Sequence, residues 1–164
     1  MFTSADGEMK RQVVLAALLP LFGGWACGSD VARTDEIADR EQTWKANEPE
    51  RYVVQTCTLG TEPPGCVREA IDGDEVVTAE ERIFYPTAPG WQVHKPQGKM
   101  LDQMFLRVMS GERGGCVAGD VEYNNEFGFV SRYTFDCGDS LMGGRWVACF
   151  RPDEQVLSVC DVEP

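Results

Sequence analysis

The sequence predicts an α+β domain in which an antiparallel sheet of hairpins carries two helices on one face and is reinforced by disulfides. Strand candidates come in adjacent pairs separated by turn signals, and only two stretches show helical periodicity. Adjacent pairs fit an antiparallel sheet, because parallel strands need a long crossover between them. Six cysteines spread over residues 57–160 predict the disulfides.

Two helices are predicted, at residues 35–47 and 99–110. Thr34 can cap the start of the first helix. Ile37 and Trp44 are seven residues apart and share one helical face, which predicts Trp44 as a core anchor. The second helix carries one apolar stripe, formed by Leu101, Met104, Phe105, Val108 and Met109. Methionines in such a stripe are more typical of core packing than of a binding surface.

The predicted strands occupy residues 52–58, 66–71, 75–77, 117–123, 129–135, 145–151 and 155–162, with residues 83–85 extending the third or beginning another. Asp72-Gly73 predicts a type I′ hairpin turn, which needs positive φ at both central residues. Residues 124–128 predict a second turn, and Pro152-Asp153 a third. Residues 86–98 are rich in proline and glycine and predict a loop.

Residues 1–26 have the three parts of a secretory signal peptide. A basic pair, Lys10-Arg11, precedes an apolar run at residues 13–22, and small residues follow. A membrane-spanning helix needs about 20 apolar residues. The shorter run therefore predicts a cleaved signal peptide rather than a permanent span.

The segment that ends in Ala26-Cys27 resembles the lipobox of bacterial lipoproteins, in which a small residue directly precedes a cysteine. On that resemblance Cys27 becomes the lipidated first residue. Residues 27–34 then contain this cysteine and a polar tether. The length of the remaining chain predicts one α+β domain at residues 35–164. The alternative is an ordinary signal peptide whose Cys27 is removed or left free. Lipidation implies an exported protein of the bacterial cell envelope, anchored to a membrane on its periplasmic or surface face.

The six other cysteines are predicted to form disulfides, because an exported chain reaches an oxidising compartment. Six cysteines allow fifteen pairings. Local spacing favours the pairs Cys57–Cys66 and Cys137–Cys149, each across a turn-rich stretch, which leaves Cys116 with Cys160.

The formal net charge of −12 belongs wholly to the part of the chain after the leader, because the leader's charged residues cancel. This charge argues against nucleic acid as a partner, since phosphate binding needs clustered Lys and Arg. The acidity serves solubility, or it attracts a basic partner protein.

The sequence predicts no catalytic residue, no metal site and no cofactor. His94 is the one histidine and lies in a proline-flanked stretch, and oxidised cysteines supply no thiolate. The Asp72-Gly-Asp74 segment lacks the later acidic ligand of a calcium loop. Clustering of His94 with Glu80 or Glu81 in a cleft would instead favour an enzyme.

Several short motifs lie between about residues 40 and 136. They are Trp44 with Tyr52 and Cys57, the hairpin at residues 67–73, the helical residues Leu101, Met104 and Phe105, and residues 121–124 with 128–130. In these motifs the chain resembles a family of secreted or lipoprotein-like bacterial proteins, catalogued as domain of unknown function 6174. The family has no established activity, so the resemblance implies only the fold and the cellular address.

The function predicted from these features is a lipid-anchored, non-enzymatic binding or structural module of the cell envelope. One alternative is an envelope inhibitor or immunity-type protein that binds a basic partner, and a second is a hydrolase. The possible binding surface consists of Trp91, Trp146, Phe127 and Phe129.

Overall fold

The computed structural model describes residues 28–60, 63–84, 90–113, 116–137 and 140–163, with side chains for all of these except residues 28–32, 112–113, 116–118, 137 and 140–142. The described elements are α1 (Gly28–Asn47), β1 (Arg51–Leu59), β2 (Gly65–Asp72), β3 (Glu75–Ile83), β4 (Gln92–Val93), α2 (Met100–Met109), β5 (Glu112–Arg113), β6 (Cys116–Tyr123), β7 (Val130–Cys137), β8 (Ser140–Pro152) and a 3₁₀ turn (Leu157–Val159). The strands form one sheet in the order β4-β3-β2-β1-β8-β7-β6-β5. Every neighbouring pair is antiparallel, which confirms the predicted fold class.

Both helices pack on one face of the sheet, here called the front face, and enclose the main core. Trp44 is fully buried, and its ring meets those of Tyr52 and Phe129 edge-on at centroid distances of 5.6 and 5.5 Å. The prediction of Trp44 as a core anchor is confirmed. The apolar stripe of α2 is buried except at Met109, which is 49% exposed. Met109 lies eight residues after Leu101 and is therefore rotated about 80° away from it around the helix.

Helix α1 begins at Gly28, so residues 28–34 are helical rather than a separate tether. A tertiary contact supports this early turn, because the Arg33 guanidinium donates to the Gly119 carbonyl on β6. Cys27 lies outside the described residues. No helix in the described part of the chain is long and apolar enough to cross a membrane.

The hairpin between β2 and β3 is confirmed, but its turn differs from the predicted type I′. Asp72 pairs with Glu75, so Gly73 and Asp74 are the two central residues. Of these two, only Gly73 has a positive φ, at 59°. A single positive φ at a leading glycine is the pattern of type II′ turns. Asp72 is thus the last strand residue and not part of the turn centre.

The back face of the sheet is covered by residues 153–163, here called the C-terminal strap. The Gln55 side chain pairs with the backbone of Val162 as both donor and acceptor. Arg68 donates to the Cys160 carbonyl at 3.4 Å. The strand predicted at residues 155–162 is therefore wrong. Strand β8 lies between β1 and β7 in the sheet, so it has no free edge on which a further strand can pair.

Two disulfides are described. Cys57 and Cys66 face each other across β1 and β2 with Cα atoms 4.1 Å apart, which confirms the predicted pair. Cys149 bonds Cys160 with Cα atoms 5.6 Å apart. This second disulfide ties the C-terminal strap to β8.

The Cys149–Cys160 bond shows that the predicted pairs Cys137–Cys149 and Cys116–Cys160 are wrong. Spacing favoured Cys137 for Cys149, but the strap crosses the back face and places Cys160 against Cys149. The side chains of Cys116 and Cys137 lie outside the described residues. On the backbone, Cys116 and Cys137 belong to the neighbouring strands β6 and β7, in which Val117 pairs with Asp136.

A candidate ligand-binding cleft between α2 and the sheet

A cleft of about 650 Å³ lies between α2 and the front face of the sheet. Its volume falls within the roughly 300–1,000 Å³ that is typical of small-molecule sites. The apolar part of its wall includes Val67, Met100, Met104 and Phe135. Its charged and polar part includes Glu69, Glu81, His94, Arg107, Tyr133 and Arg145. Apolar walls with a few convergent polar groups are the usual composition of a binding site.

Glu69 is the most unusual residue of this cleft, because its carboxyl group is fully buried at 0% exposure. The alternation of β2 places Glu69 on the front face between Val67 and Ile71. Its Oε2 accepts a hydrogen bond from the backbone N–H of Met100, the first residue of α2, at 2.8 Å. Its Oε1 has no hydrogen-bond partner among the described residues. One carboxylate oxygen therefore holds the helix, and the other is buried at the wall of the cleft with its hydrogen-bonding capacity unused among the described residues.

The surroundings of Glu69 change its acidity. Burial raises its pKa to about 7, against the lowering effects of the Met100 N–H and the Arg145 guanidinium. Near neutral pH the side chain is thus present both as the acid, which can donate a proton, and as the carboxylate, which only accepts hydrogen bonds. A buried carboxyl that titrates near neutrality in a cleft is typical of functional sites.

Arg145 lies on β8 directly opposite Tyr133 of β7. Its Nη1 donates to Thr56 Oγ1 at 2.8 Å, and its guanidinium interacts with the Tyr133 hydroxyl. Burial lowers the pKa of Arg145, and the Tyr133 and Glu69 side chains oppose this effect. In the described part of the chain, no ion pair joins Arg145 to Glu69. The cleft therefore contains two opposite charges that do not neutralise each other by direct contact.

A polar network fixes the start of α2 above Glu69. Lys99, directly before the helix, contacts Glu48 Oε1 at 2.7 Å, and the same oxygen accepts the Tyr52 hydroxyl at 3.0 Å. The Trp44 indole N–H reaches Asp102 Oδ1 in the first turn at 3.3 Å. These contacts hold the helix N-terminus in place, so the N–H of Met100 stays within reach of Glu69.

His94 and Glu81 lie together at this cleft. The short strand β4 pairs with β3, and the His94 N–H donates to the Ala79 carbonyl at 2.9 Å. His94 Nδ1 lies 3.1 Å from Glu81 Oε2. A cluster of His94 with Glu80 or Glu81 in a cleft is the feature that would favour an enzyme. The structure forms this cluster with Glu81. Glu80 points elsewhere, since its carboxylate binds Arg68 at 2.6 Å.

The four aromatic residues predicted as a binding surface do not form one patch. Phe129 is 1% exposed and belongs to the core, so its assignment to a surface is wrong. Phe127 is half-buried and stacks on Phe129 at 6.4 Å. Trp91 lies under the Arg68 guanidinium at 4.1 Å, and its indole N–H donates to Asp161 of the strap at 2.9 Å.

Trp146, the fourth residue of the predicted surface, is half-buried and pairs with Cys57 of β1. Residues that pair directly across two strands share a face of the sheet. Since Cys57 follows Gln55 by two residues on β1, Trp146 lies on the back face, opposite Phe127 and Phe129.

Sequence reasoning missed Glu69 and Arg145. Glu69 carries a recognisable signal, because a charged residue at the inward position between Val67 and Ile71 breaks an apolar alternation. Arg145 carries no such signal. Its importance arises from the pairing of β8 with β7, which sets it beside Tyr133.

No protein-family model matches the chain, and none of the curated proteins is significantly similar to it. The resemblance to domain of unknown function 6174 therefore stays a prediction.

Proposed function

We propose that this protein is a lipid-anchored, non-enzymatic binding module of the bacterial cell envelope and that its cleft takes a small ligand. The observation that carries the proposal is the buried Oε1 of Glu69, which has no partner among the described residues. A buried acceptor without a hydrogen bond costs about 1–3 kcal/mol. A ligand donor that reaches this oxygen would offset the cost. The cleft volume and its mixed apolar and polar wall support the same reading.

Filling the cleft should weaken ligand binding strongly without unfolding the protein. A Cβ added at Gly143, which lines the cleft beside its strand partner Phe135, meets no atom within 4 Å. We therefore expect Gly143→Leu to fold and to occupy the cleft. Binding is measured with a fragment library and ¹³C-methyl methionine spectra, because Met100 and Met104 line the cleft. Fragments should shift these two methyl signals in the wild type and lose at least about tenfold in affinity in the variant.

The matched control is Gly90→Leu. Gly90 is exposed, lies outside the cleft, and also offers open space to a Cβ. This control should bind fragments as the wild type does. The proposal fails if no fragment shifts the Met100 or Met104 signals, or if Gly143→Leu binds them as tightly as the wild type.

A hydrolase is the second candidate, and the His94–Glu81 pair favours it. A carboxylate that holds an imidazole can orient it as a general base toward a water molecule. If the protein is a hydrolase, it should hydrolyse p-nitrophenyl butyrate above the buffer rate, and His94→Gln should lower that rate about 100-fold or more. Lys95→Gln, next in the chain and exposed, is the control. A wild-type rate equal to that of buffer, or one that survives in His94→Gln, removes His94 from this role.

A further inference from the structure

The charges in the cleft define the class of ligand, and this step rests on the proposed function. Glu69 is placed at the start of α2 through its bond to Met100. Arg107, which also lines the cleft, lies seven residues later on the same helix. Seven residues correspond to about 10 Å along a helix. The cleft wall along α2 therefore changes from a carboxyl group at one end to a guanidinium at the other.

Arg145 adds to the positive part of this wall. It lines the same cleft as Glu69 and Arg107, so the three charged side chains border one space. A guanidinium has five N–H donors. Among the described residues, Thr56 and Tyr133 take only some of these donors, so the others can meet an anion.

A ligand with a single charge fits this arrangement poorly. A simple cation drawn to Glu69 is repelled by Arg145, and a simple anion drawn to Arg145 is repelled by Glu69. Since no ion pair joins the two side chains in the described part of the chain, each retains its attraction for an opposite charge. A molecule that carries both charges satisfies both groups at once.

We propose that the cleft binds a small zwitterion whose ammonium group meets Glu69 and whose carboxylate meets Arg145. The ammonium supplies the hydrogen-bond donor that Glu69 Oε1 lacks among the described residues. The methylene chain between the two charges packs against Met100, Met104 and Val67. Binding of the ammonium favours the ionised form of Glu69, so the affinity rises with pH across the titration of this carboxyl.

The test uses the full processed chain in mild detergent and titration calorimetry. The probes are 4-aminobutyrate, 6-aminohexanoate and 8-aminooctanoate, with hexylamine and hexanoate as matched probes of one charge. We expect at least one amino acid of this series to bind about tenfold or more tightly than either singly charged probe. Glu69→Gln should weaken that amino acid but strengthen hexanoate, because it removes the repulsion of the anion. Arg145→Gln should likewise strengthen hexylamine.

The comparison of probes on the wild type remains decisive if Arg145→Gln fails to fold. Equal affinity for hexylamine and the amino acids would show a simple cation site and overturn the proposal. Equal affinity for hexanoate would show an anion site and overturn it as well. If no probe binds but the fragment library still shifts the Met100 and Met104 signals, the ligand class is wrong and the cleft function stands. If fragments also fail, the proposed function itself falls.

Discussion

The Glu69→Gln variant should gain stability relative to the wild type by roughly 2 to 3 kcal/mol as the pH rises from about 5 to 8. The pKa of Glu69 is raised from 4.5 to about 7, chiefly by burial. The folded protein therefore holds a proton that the unfolded chain releases. This stabilisation is fully present below the unfolded value and is lost as the pH rises through the folded value. The amide of the variant does not titrate, and its oxygen can still accept the Met100 N–H.

The measurement is urea unfolding of both proteins at several pH values, followed by tryptophan fluorescence. The difference between the two free energies of unfolding isolates Glu69 from other titrating groups. Glu126→Gln is the matched control, because it makes the same substitution at an exposed residue outside the cleft. A difference for Glu69→Gln that is flat with pH would show that burial does not raise the pKa of this carboxyl group.

Cys27→Ala should move the protein from the membrane fraction to the soluble fraction. The lipobox resemblance makes Cys27 the lipid acceptor. Each buried methylene of an acyl chain contributes about 0.8 kcal/mol to membrane binding, so several chains hold a protein at a membrane. Without the thiol no chain can be attached. Cell fractionation and incorporation of a labelled fatty acid measure the effect. The wild type should carry the label, and the variant should carry none.

An uncleaved leader could hold the Cys27→Ala protein at the membrane by itself. A second variant, in which an ordinary secretory signal peptide replaces residues 1–26 and Cys27 is replaced by alanine, removes this complication. It should be soluble after export. Replacement of Cys57 and Cys66 together by alanine is the matched control and should leave the labelling unchanged, because these thiols form a disulfide. A wild type without label, or a soluble variant that carries it, contradicts lipidation at Cys27.

Local sequence patterns were sufficient for most of the secondary structure. Strand β1, the hairpin of β2 and β3, helix α2 and the hairpin of β6 and β7 all lie where alternation, helical periodicity and turn residues predicted them. The disulfide Cys57–Cys66 followed from the same signals, since a hairpin brings its two flanking residues together. These features depend on neighbours in the chain, and such contacts leave a pattern in a short window of sequence.

The larger failures share one cause, which is contact between distant segments. Residues 155–162 have the composition of a strand, but the position of β8 inside the sheet leaves them no edge, and they cross the back face instead. That path decides the partner of Cys149. The start of α1 likewise depends on Arg33 meeting Gly119, 86 residues away.

The sequence by itself determined the α+β class, the two helices and the acidity, and it predicts an address that begins at Cys27. Only the tertiary structure decided that Glu69 and Arg145 share a cleft. The packing of α2 on the sheet brings the Met100 N–H to one oxygen of Glu69. The other oxygen has no partner among the described residues. The acidity and the interactions of a buried charge depend on the groups around it. Here those groups come from β1, β7, β8 and α2, which are far apart in the chain.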